Sequence, residues 1–164
     1  GKTFQQLIDL LFELKNPFFS AHHDLVEQFQ LFFLSLERLN HLLGQVSRHG
    51  MSRLSAGTWR RIARQRNLRI FMIRERGIIV GICVLRWHEL AGGKTAFLDD
   101  VVVDQVYRRR GFGTTLVKTV IEWAKAHDIV RIDFTSGPDR KAAHALYQGL
   151  GWEMRNTNVY RLTL

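Results

Sequence analysis

A short basic loop, Arg108-Arg109-Arg110-Gly111-Phe112-Gly113, lies between a predicted strand and a predicted helix. The strand covers residues 95–104, and apolar residues at helical spacing predict a helix from 111 to about 126. The first backbone N–H groups of a helix have no partner inside it, so they attract anions. The two glycines let the backbone approach an anion closely, and the arginines add charged hydrogen bonds. The loop therefore predicts a phosphate-binding turn, although, taken alone, a solvated loop explains these residues about as often.

Hydrophobic periodicity predicts the remaining elements. Three helices come first, over residues 3–14, from 25 to about 46, and from Ser55 to about 65. A hairpin of strands 68–74 and 78–87 follows, turning at Arg76-Gly77. After the basic loop and its helix come a strand at 129–135, a helix from Gly137-Pro138 to Gly151, and two short strands at 152–155 and 158–163. This order indicates a mixed α/β (α+β) fold.

Length and charge narrow the function classes. A chain of 164 residues predicts one domain, since domains average about 150 residues. The net charge is +9, and residues 48–76 carry nine arginines against the single acid Glu75. Such a patch attracts an acidic substrate, a phosphorylated cofactor or nucleic acid, although a solvated helix face explains it equally well.

Cysteine use and hydropathy indicate where the protein acts. The single cysteine, Cys83, lies in an apolar run, which predicts a buried thiol in a reducing compartment. The longest nearly apolar run, residues 78–85, is far shorter than the about 20 residues that a membrane span needs. Residues 3–14 are broken by polar side chains and lack a cleavage site, so we expect no signal peptide. These features predict a cytoplasmic protein with no membrane partner.

Two motifs occur in a fixed order. Arg108, Gly111 and Gly113 form the pattern Arg, two residues, Gly, one residue, Gly, directly after the Val101-Val102-Val103-Asp104 strand end. Further on, Ala143-His144-Ala145-Leu146-Tyr147-Gln148-Gly149-Leu150-Gly151-Trp152 has the pattern Ala-x-x-Leu-Tyr-x-x-x-Gly-Phe, with Trp for Phe. Together they resemble the GNAT superfamily of acetyl-CoA-dependent N-acetyltransferases, as a small, bacterial-type, single-domain member. The likeness covers roughly residues 25–164, and residues 1–24 add an N-terminal amphipathic helix and loop.

The resemblance implies a central, mostly antiparallel sheet with a splayed strand pair and helices on both faces. It also implies acetyl-CoA as co-substrate, with its pantetheine arm in the splay and its pyrophosphate at the loop. The cofactor-binding residues so implied are Val101, Val102, Val103, Arg108, Arg109, Arg110, Gly111, Phe112, Gly113, Thr114, Thr115, Arg140 and Ala143. Arg140 stands where many members have Asn, and if residues 25–34 are helical, the strand with which family members usually begin is missing here.

The resemblance implies catalytic roles too. Tyr147 matches the family tyrosine that protonates the departing CoA thiolate, whereas as an ordinary residue it would pack in the core. Removing a proton from an amine of pKa about 10.4 at pH 7 costs about 4.6 kcal/mol, so a base is needed. Asp99 and Asp100 are adjacent on a strand, which predicts that one reaches the acceptor side. The other reading is a strand-edge pair held by backbone or arginine partners.

We therefore expect an enzyme that transfers acetyl to a primary amine, with no metal. Arg60, Arg61 and Arg64 form one helical stripe, which favours an acceptor that also carries a negative charge. One alternative is an arginine-rich anion or nucleic-acid binding module, although Trp59 alone supplies an aromatic ring within that helix. Another is a regulatory protein that binds acetyl-CoA without transfer. A homodimer, the base and the acceptor's identity stay open.

Overall fold

The computed structural model describes residues 25–45 and 53–163, with side chains from residue 35 onward in the first segment. The predicted helix at residues 3–14, and the whole segment 1–24, lie outside the described residues. Helix α1 covers Leu25–Gly44 and α2 covers Ala56–Ala63. The side chain of Ser55 begins α2 by accepting a hydrogen bond from the Thr58 N–H at 3.2 Å. Both helical predictions are confirmed.

Four strands form one sheet in the order β1-β2-β3-β4. Strand β1 covers Leu68–Glu75, β2 Ile78–Leu90, β3 Gly93–Val103 and β4 Ile129–Asp133. The first three strands pair antiparallel, and β4 pairs parallel to β3. Arg76 and Gly77 connect β1 and β2 with positive φ angles of 49° and 80°, as a tight hairpin turn requires.

A β-bulge interrupts the pairing of β2 with β3. Ile82 pairs with Val102 and Val84 with Asp99, so one residue of β2 faces two residues of β3. Asp100 lies in the bulge with a left-handed φ of 51°. The inserted residue reverses which β3 side chains point to which face of the sheet. Before the bulge, even-numbered residues pack towards the core on one face; after it, odd-numbered residues do so.

Helices cover both faces of the sheet, as predicted. Helix α3 (Phe112–Lys125) and α4 (Lys141–Gly149) pack on one face, where the core includes Cys83, Leu85, Leu98, Val117, Val120 and Tyr147. Helices α1 and α2 pack on the other, where the core includes Leu42, Leu43, Trp59, Ile79, Ile82 and Val102. None of the helices described is long and apolar enough to span a membrane.

The prediction of two closing strands is wrong. Residues 152–163 are described and contain no strand, and Met154, Val159, Tyr160 and Leu162 are all highly exposed. Alternating side chains suggest a strand, but one forms only where a neighbouring backbone pairs with its N–H and C=O groups. The segment is instead anchored by Trp152, whose N–H donates to the Tyr147 carbonyl at 3.0 Å.

Candidate functional site

A gap opens beside the second half of β3. Strand β4 pairs with β3 from Lys94 to Phe97 and ends at Asp133. Within the described chain, residues 98–103 of β3 therefore have no strand neighbour on that side. Val101, Val102 and Val103 lie in this stretch of β3. The pairing of β3 with β4 thus stops partway along β3, in the sheet where the family resemblance implies a splayed strand pair.

The basic loop leads from the end of β3 to the start of α3. A 3-10 turn at Gln105–Tyr107 comes first, and then Arg109 and Gly111 take left-handed φ angles of 61° and 82°. Gly111 occupies the N-cap position, and no side chain caps the helix there. The Thr115 N–H donates to the Gly111 carbonyl at 2.9 Å. The N–H groups of the residues between them lie at the positive end of the helix, where an anion is stabilised.

Gly113 lies where three elements meet. A Cβ atom added there would lie 3.1 Å from Leu146 Cδ1 of α4 and 3.8 Å from Val103 Cγ2 of β3. The glycine thus lets the first turn of α3 approach α4, which carries Tyr147. Phe112 and Thr114, its neighbours in this turn, are partly exposed. The basic loop, the gap and the tyrosine are therefore neighbours in the fold.

The three arginines of the loop have different surroundings. Arg108 folds back on the protein: its Nε donates to the Val103 carbonyl at 3.0 Å and its Nη2 to Gln45 Oε1 at 3.2 Å. Arg110 pairs with Glu75 at 3.3 Å and lies over the Tyr107 ring. Arg109 is exposed. Arg108 and Arg110 are thus engaged within the protein, so the three arginines do not form one parallel row of side chains.

Tyr147 lies on the inner face of α4 and is 8% exposed. Its ring packs on Phe134 with centroids 4.0 Å apart and meets the edge of Trp152 at 5.6 Å. Burial raises the pKa of Tyr147 to about 12, with a further increase from Cys83 and an opposing effect of Arg140. The hydroxyl stays protonated at neutral pH. Among the described residues nothing hydrogen-bonds to it.

Two further predicted residues lie on the same helix or at its start. Arg140 occupies the N-cap position of α4 and is close enough to affect the pKa of Tyr147. Ala143, one turn before Tyr147, packs against the same core.

Cys83 is fully buried, as predicted, and burial raises the pKa of its thiol to about 12.

The two adjacent carboxylates have unlike environments. Asp99 pairs with Arg86 at 2.6 Å, and the same guanidinium lies over the Phe97 ring. Asp100 lies in the bulge, where partial burial and the charge of Asp99 raise the pKa of its carboxyl. A carboxylate with a raised pKa is a stronger proton acceptor than an ordinary carboxylate.

Behind the loop lies an ion-pair network that the sequence did not predict. Asp104 is 3% exposed and pairs with Arg38 and with His41 Nε2 at 3.4 Å, both on α1. Burial raises the pKa of Asp104. The hydrogen bond from the Val106 N–H and the charge of Arg38 together lower that pKa by more than burial raises it, so the net shift is downward. The local signal was an acidic residue after three valines; its partners lie more than 60 residues away.

His88 and His144 each have a partner within the protein. His88 Nε2 lies 3.0 Å from Thr95 Oγ1, and His144 Nε2 lies 2.9 Å from the Gly137 carbonyl oxygen. In the part of the chain that is described, no three metal-ligating side chains cluster.

Comparisons with known proteins agree with this geometry. The model of the acetyltransferase (GNAT) family matches residues 36–152. Two aminoglycoside N(6')-acetyltransferases type 1, from Acinetobacter genomosp. 13 and Acinetobacter baumannii, are each 33% identical over 79 residues. These matches cover 46% of this chain and 54% of each relative, so the chain spans about half the length of the curated relatives it matches.

Solved structures show the same fold. A putative acetyltransferase from Agrobacterium tumefaciens str. C58 aligns with a TM-score of 0.70 and 24% identity, over 79% of this chain and 94% of that one. An aminoglycoside acetyltransferase from an uncultured soil metagenomic sample, in complex with sisomicin, aligns with a TM-score of 0.70 and 16% identity, over 82% and 92%. With the unpaired half of β3, the basic loop at the start of α3 and the match of the family model over most of its length, the chain belongs to the acetyltransferase (GNAT) family.

Proposed function

We propose that the protein transfers the acetyl group of acetyl-CoA directly to a primary amine. The observation that carries the proposal is the gap beside residues 98–103, with an anion-attracting helix terminus at one end and Tyr147 on the neighbouring helix. An extended arm with polar groups fits such a gap, because its amides can pair with strand backbone that lacks a neighbour. Acetyl-CoA has that shape and supplies an activated thioester.

The family resemblance and this geometry support one assignment of the binding residues. The pantetheine arm would lie along Val101, Val102 and Val103 and pair with those backbone groups of this stretch that neither β2 nor Arg108 engages. The diphosphate would be held by backbone N–H groups from Gly111 to Thr115 and by the loop arginines. Arg140 would add a positive charge near the start of α4, and Ala143 would leave space beside the arm.

Two proton transfers complete the reaction. Asp100 is the favoured acceptor of the amine proton, since its pKa is raised while Asp99 forms an ion pair with Arg86. Tyr147 would donate its phenolic proton to the departing sulfur, because a phenol with a pKa of about 12 is protonated at neutral pH. The hydroxyl's lack of a partner among the described residues leaves it available for that role.

The acceptor side is bordered by α2. Trp59 packs α2 against Ile82 and Val102, on the face to which Asp99 also points. Arg60, Arg61 and Arg64 project from this helix, and none forms an ion pair within the described residues. Their charge attracts an amine that also carries a carboxylate or phosphate, so we propose an anionic amine as acceptor.

A second acceptor class follows from the named relatives, which act on aminoglycosides. Aminoglycosides carry several ammonium groups at neutral pH, and the charge of α2 would repel them. The arginines of α2 should therefore strengthen the binding of an anionic amine and weaken the binding of an aminoglycoside.

The test combines the full chain with acetyl-CoA and a panel of aminoglycosides, neutral amines and amines bearing an acidic group. Thiol release and the mass of the acetylated amine measure transfer. Product with any amine excludes a protein that only binds acetyl-CoA. No product with any of them, together with tight, salt-dependent binding to a DNA duplex, would favour the nucleic-acid alternative.

Charge reversal then identifies the acceptor class. Arg60→Glu with Arg64→Glu should raise KM for acidic amines and leave it unchanged for neutral ones. Lys118→Glu with Lys125→Glu makes the same change of net charge on α3, over the opposite face, and serves as the matched control. A rise in KM of equal size for neutral and acidic amines would refute the anionic acceptor.

A further inference from the structure

The basic loop needs support from outside itself. Arg108, Arg109 and Arg110 are adjacent like charges, and residues 105–111 are mostly exposed, so hydrophobic burial contributes little there. Yet the loop must keep one conformation for the first N–H groups of α3 to meet a ligand together. That conformation must come from hydrogen bonds to other elements.

Gln45, directly after α1, supplies two such bonds through one oxygen. Its Oε1 accepts the backbone N–H of Gln105 at 3.1 Å and Arg108 Nη2 at 3.2 Å. Its amide nitrogen lies 2.9 Å from His41 Nε2, which in turn lies 3.4 Å from Asp104. Two donors at the oxygen fix the orientation of the amide. Gln45 thereby joins the last turn of α1 to both ends of the 3-10 turn.

Arg108 is held from two sides as a result. Its Nε donates to the carbonyl of Val103, the last residue of β3, while its Nη2 donates to Gln45. Two of the five N–H donors of the guanidinium are thus used within the protein, and the group is fixed before a ligand arrives. Without Gln45, the carbonyl of Val103 is the remaining described partner of this side chain.

We infer that Gln45 is a positioning residue for the acetyl-CoA diphosphate, an inference that rests on the proposed function. It acts through Gln105 and Arg108, which it holds in the conformation that precedes α3. A site ordered in advance binds more tightly, because less conformational entropy is lost on binding. Gln45 therefore strengthens acetyl-CoA binding and leaves the acetyl-transfer step at Tyr147 unaffected.

The experiment uses the full chain with Gln45→Met, which preserves side-chain length and removes the amide. Gln65→Met, at an exposed glutamine just beyond α2, is the matched control. Each variant is assayed with acetyl-CoA and with S-acetylpantetheine, a thioester without a diphosphate. For Gln45→Met we expect Kd and KM for acetyl-CoA to rise about tenfold, equal to about 1.4 kcal/mol, with kcat unchanged. With S-acetylpantetheine, kcat/KM should stay at the wild-type value.

A double-mutant cycle separates positioning from a general loss of stability. If Gln45 acts through Arg108, the double variant Gln45→Met with Arg108→Met should bind acetyl-CoA little more weakly than Arg108→Met alone. Additive losses, or equal losses with both thioesters, would overturn the inference. Gln45→Asn, which withdraws the amide by one methylene group, should show the same donor selectivity and replaces Gln45→Met if that variant folds poorly.

Calorimetry on the wild-type chain distinguishes the two proposals. If the wild-type chain binds CoA and Gln45→Met binds it equally well, the positioning role is overturned while the proposed function stands. If the wild-type chain does not bind CoA, both are overturned.

Discussion

Replacing Tyr147 with Phe tests the proposed chemistry most directly. The ring packs between Phe134 and Trp152, and Phe preserves that packing. The hydroxyl has no hydrogen-bond partner among the described residues, so its removal leaves no buried group unsatisfied. We therefore expect the free energy of unfolding to change by less than about 0.5 kcal/mol. Acetyl-CoA affinity should also be nearly unchanged.

The rate should respond differently. General acid catalysis contributes about 10² to 10⁴-fold, and at about 1.36 kcal/mol per tenfold this amounts to about 2.7 to 5.4 kcal/mol of barrier. Single-turnover measurement with saturating acetyl-CoA and the best acceptor isolates the chemical step. Tyr160→Phe, at an 88% exposed tyrosine, is the matched control and should leave the rate unchanged. A Tyr147→Phe variant with the wild-type single-turnover rate would remove the hydroxyl from the mechanism.

Three further predictions concern charge and backbone. Asp104→Asn should lower the free energy of unfolding by about 3 kcal/mol in urea titrations, because it breaks a buried ion pair. The pKa of Asp104 is lowered on folding, so the contribution of this carboxylate to stability is present above the unfolded pKa of about 3.9. That contribution is lost as pH falls through the folded pKa. Gly111→Ala should lower the free energy of unfolding by about 1 kcal/mol because of the left-handed φ of 82°, and it should weaken CoA binding in calorimetry. Gly92→Ala is the control: an added Cβ has no atom within 4 Å there either, but φ is not positive, so stability and binding should not change. Asp100→Asn should lower kcat/KM more than Asp99→Asn does. Because the pKa of Asp100 is raised, the wild-type rate should fall on acidification, and the fall should begin at a pH above the range in which carboxyl groups usually titrate.

Features encoded by local pattern were predictable. Apolar residues at helical spacing predicted α1, near the start of the described chain, and α3, directly after the basic loop. The turn residues Arg76-Gly77 predicted the hairpin. The prediction of two closing strands was wrong because a strand depends on a distant partner edge, which alternation along residues 152–163 does not encode. The Gln45 link to the loop was missed for the same reason, since it joins residues 60 or more positions apart.

The bulge at Asp100 explains why the acidic pair could be found but its arrangement could not. Strict alternation predicts that Asp99 and Asp100 point to opposite faces and that Val101 then shares a face with Asp99. The register places two β3 residues opposite Cys83, so alternation restarts after Asp100, and Val102 instead packs on the α2 side. The left-handed φ of Asp100 is the local cost of that restart, and Asp tolerates it better than a β-branched residue such as Val would. A carboxylate at this position therefore serves the backbone geometry as well as any proton transfer. For that reason Asp100→Asn, which retains this tolerance of left-handed φ, isolates the loss of the carboxylate, whereas Asp100→Val would mix chemical and conformational effects.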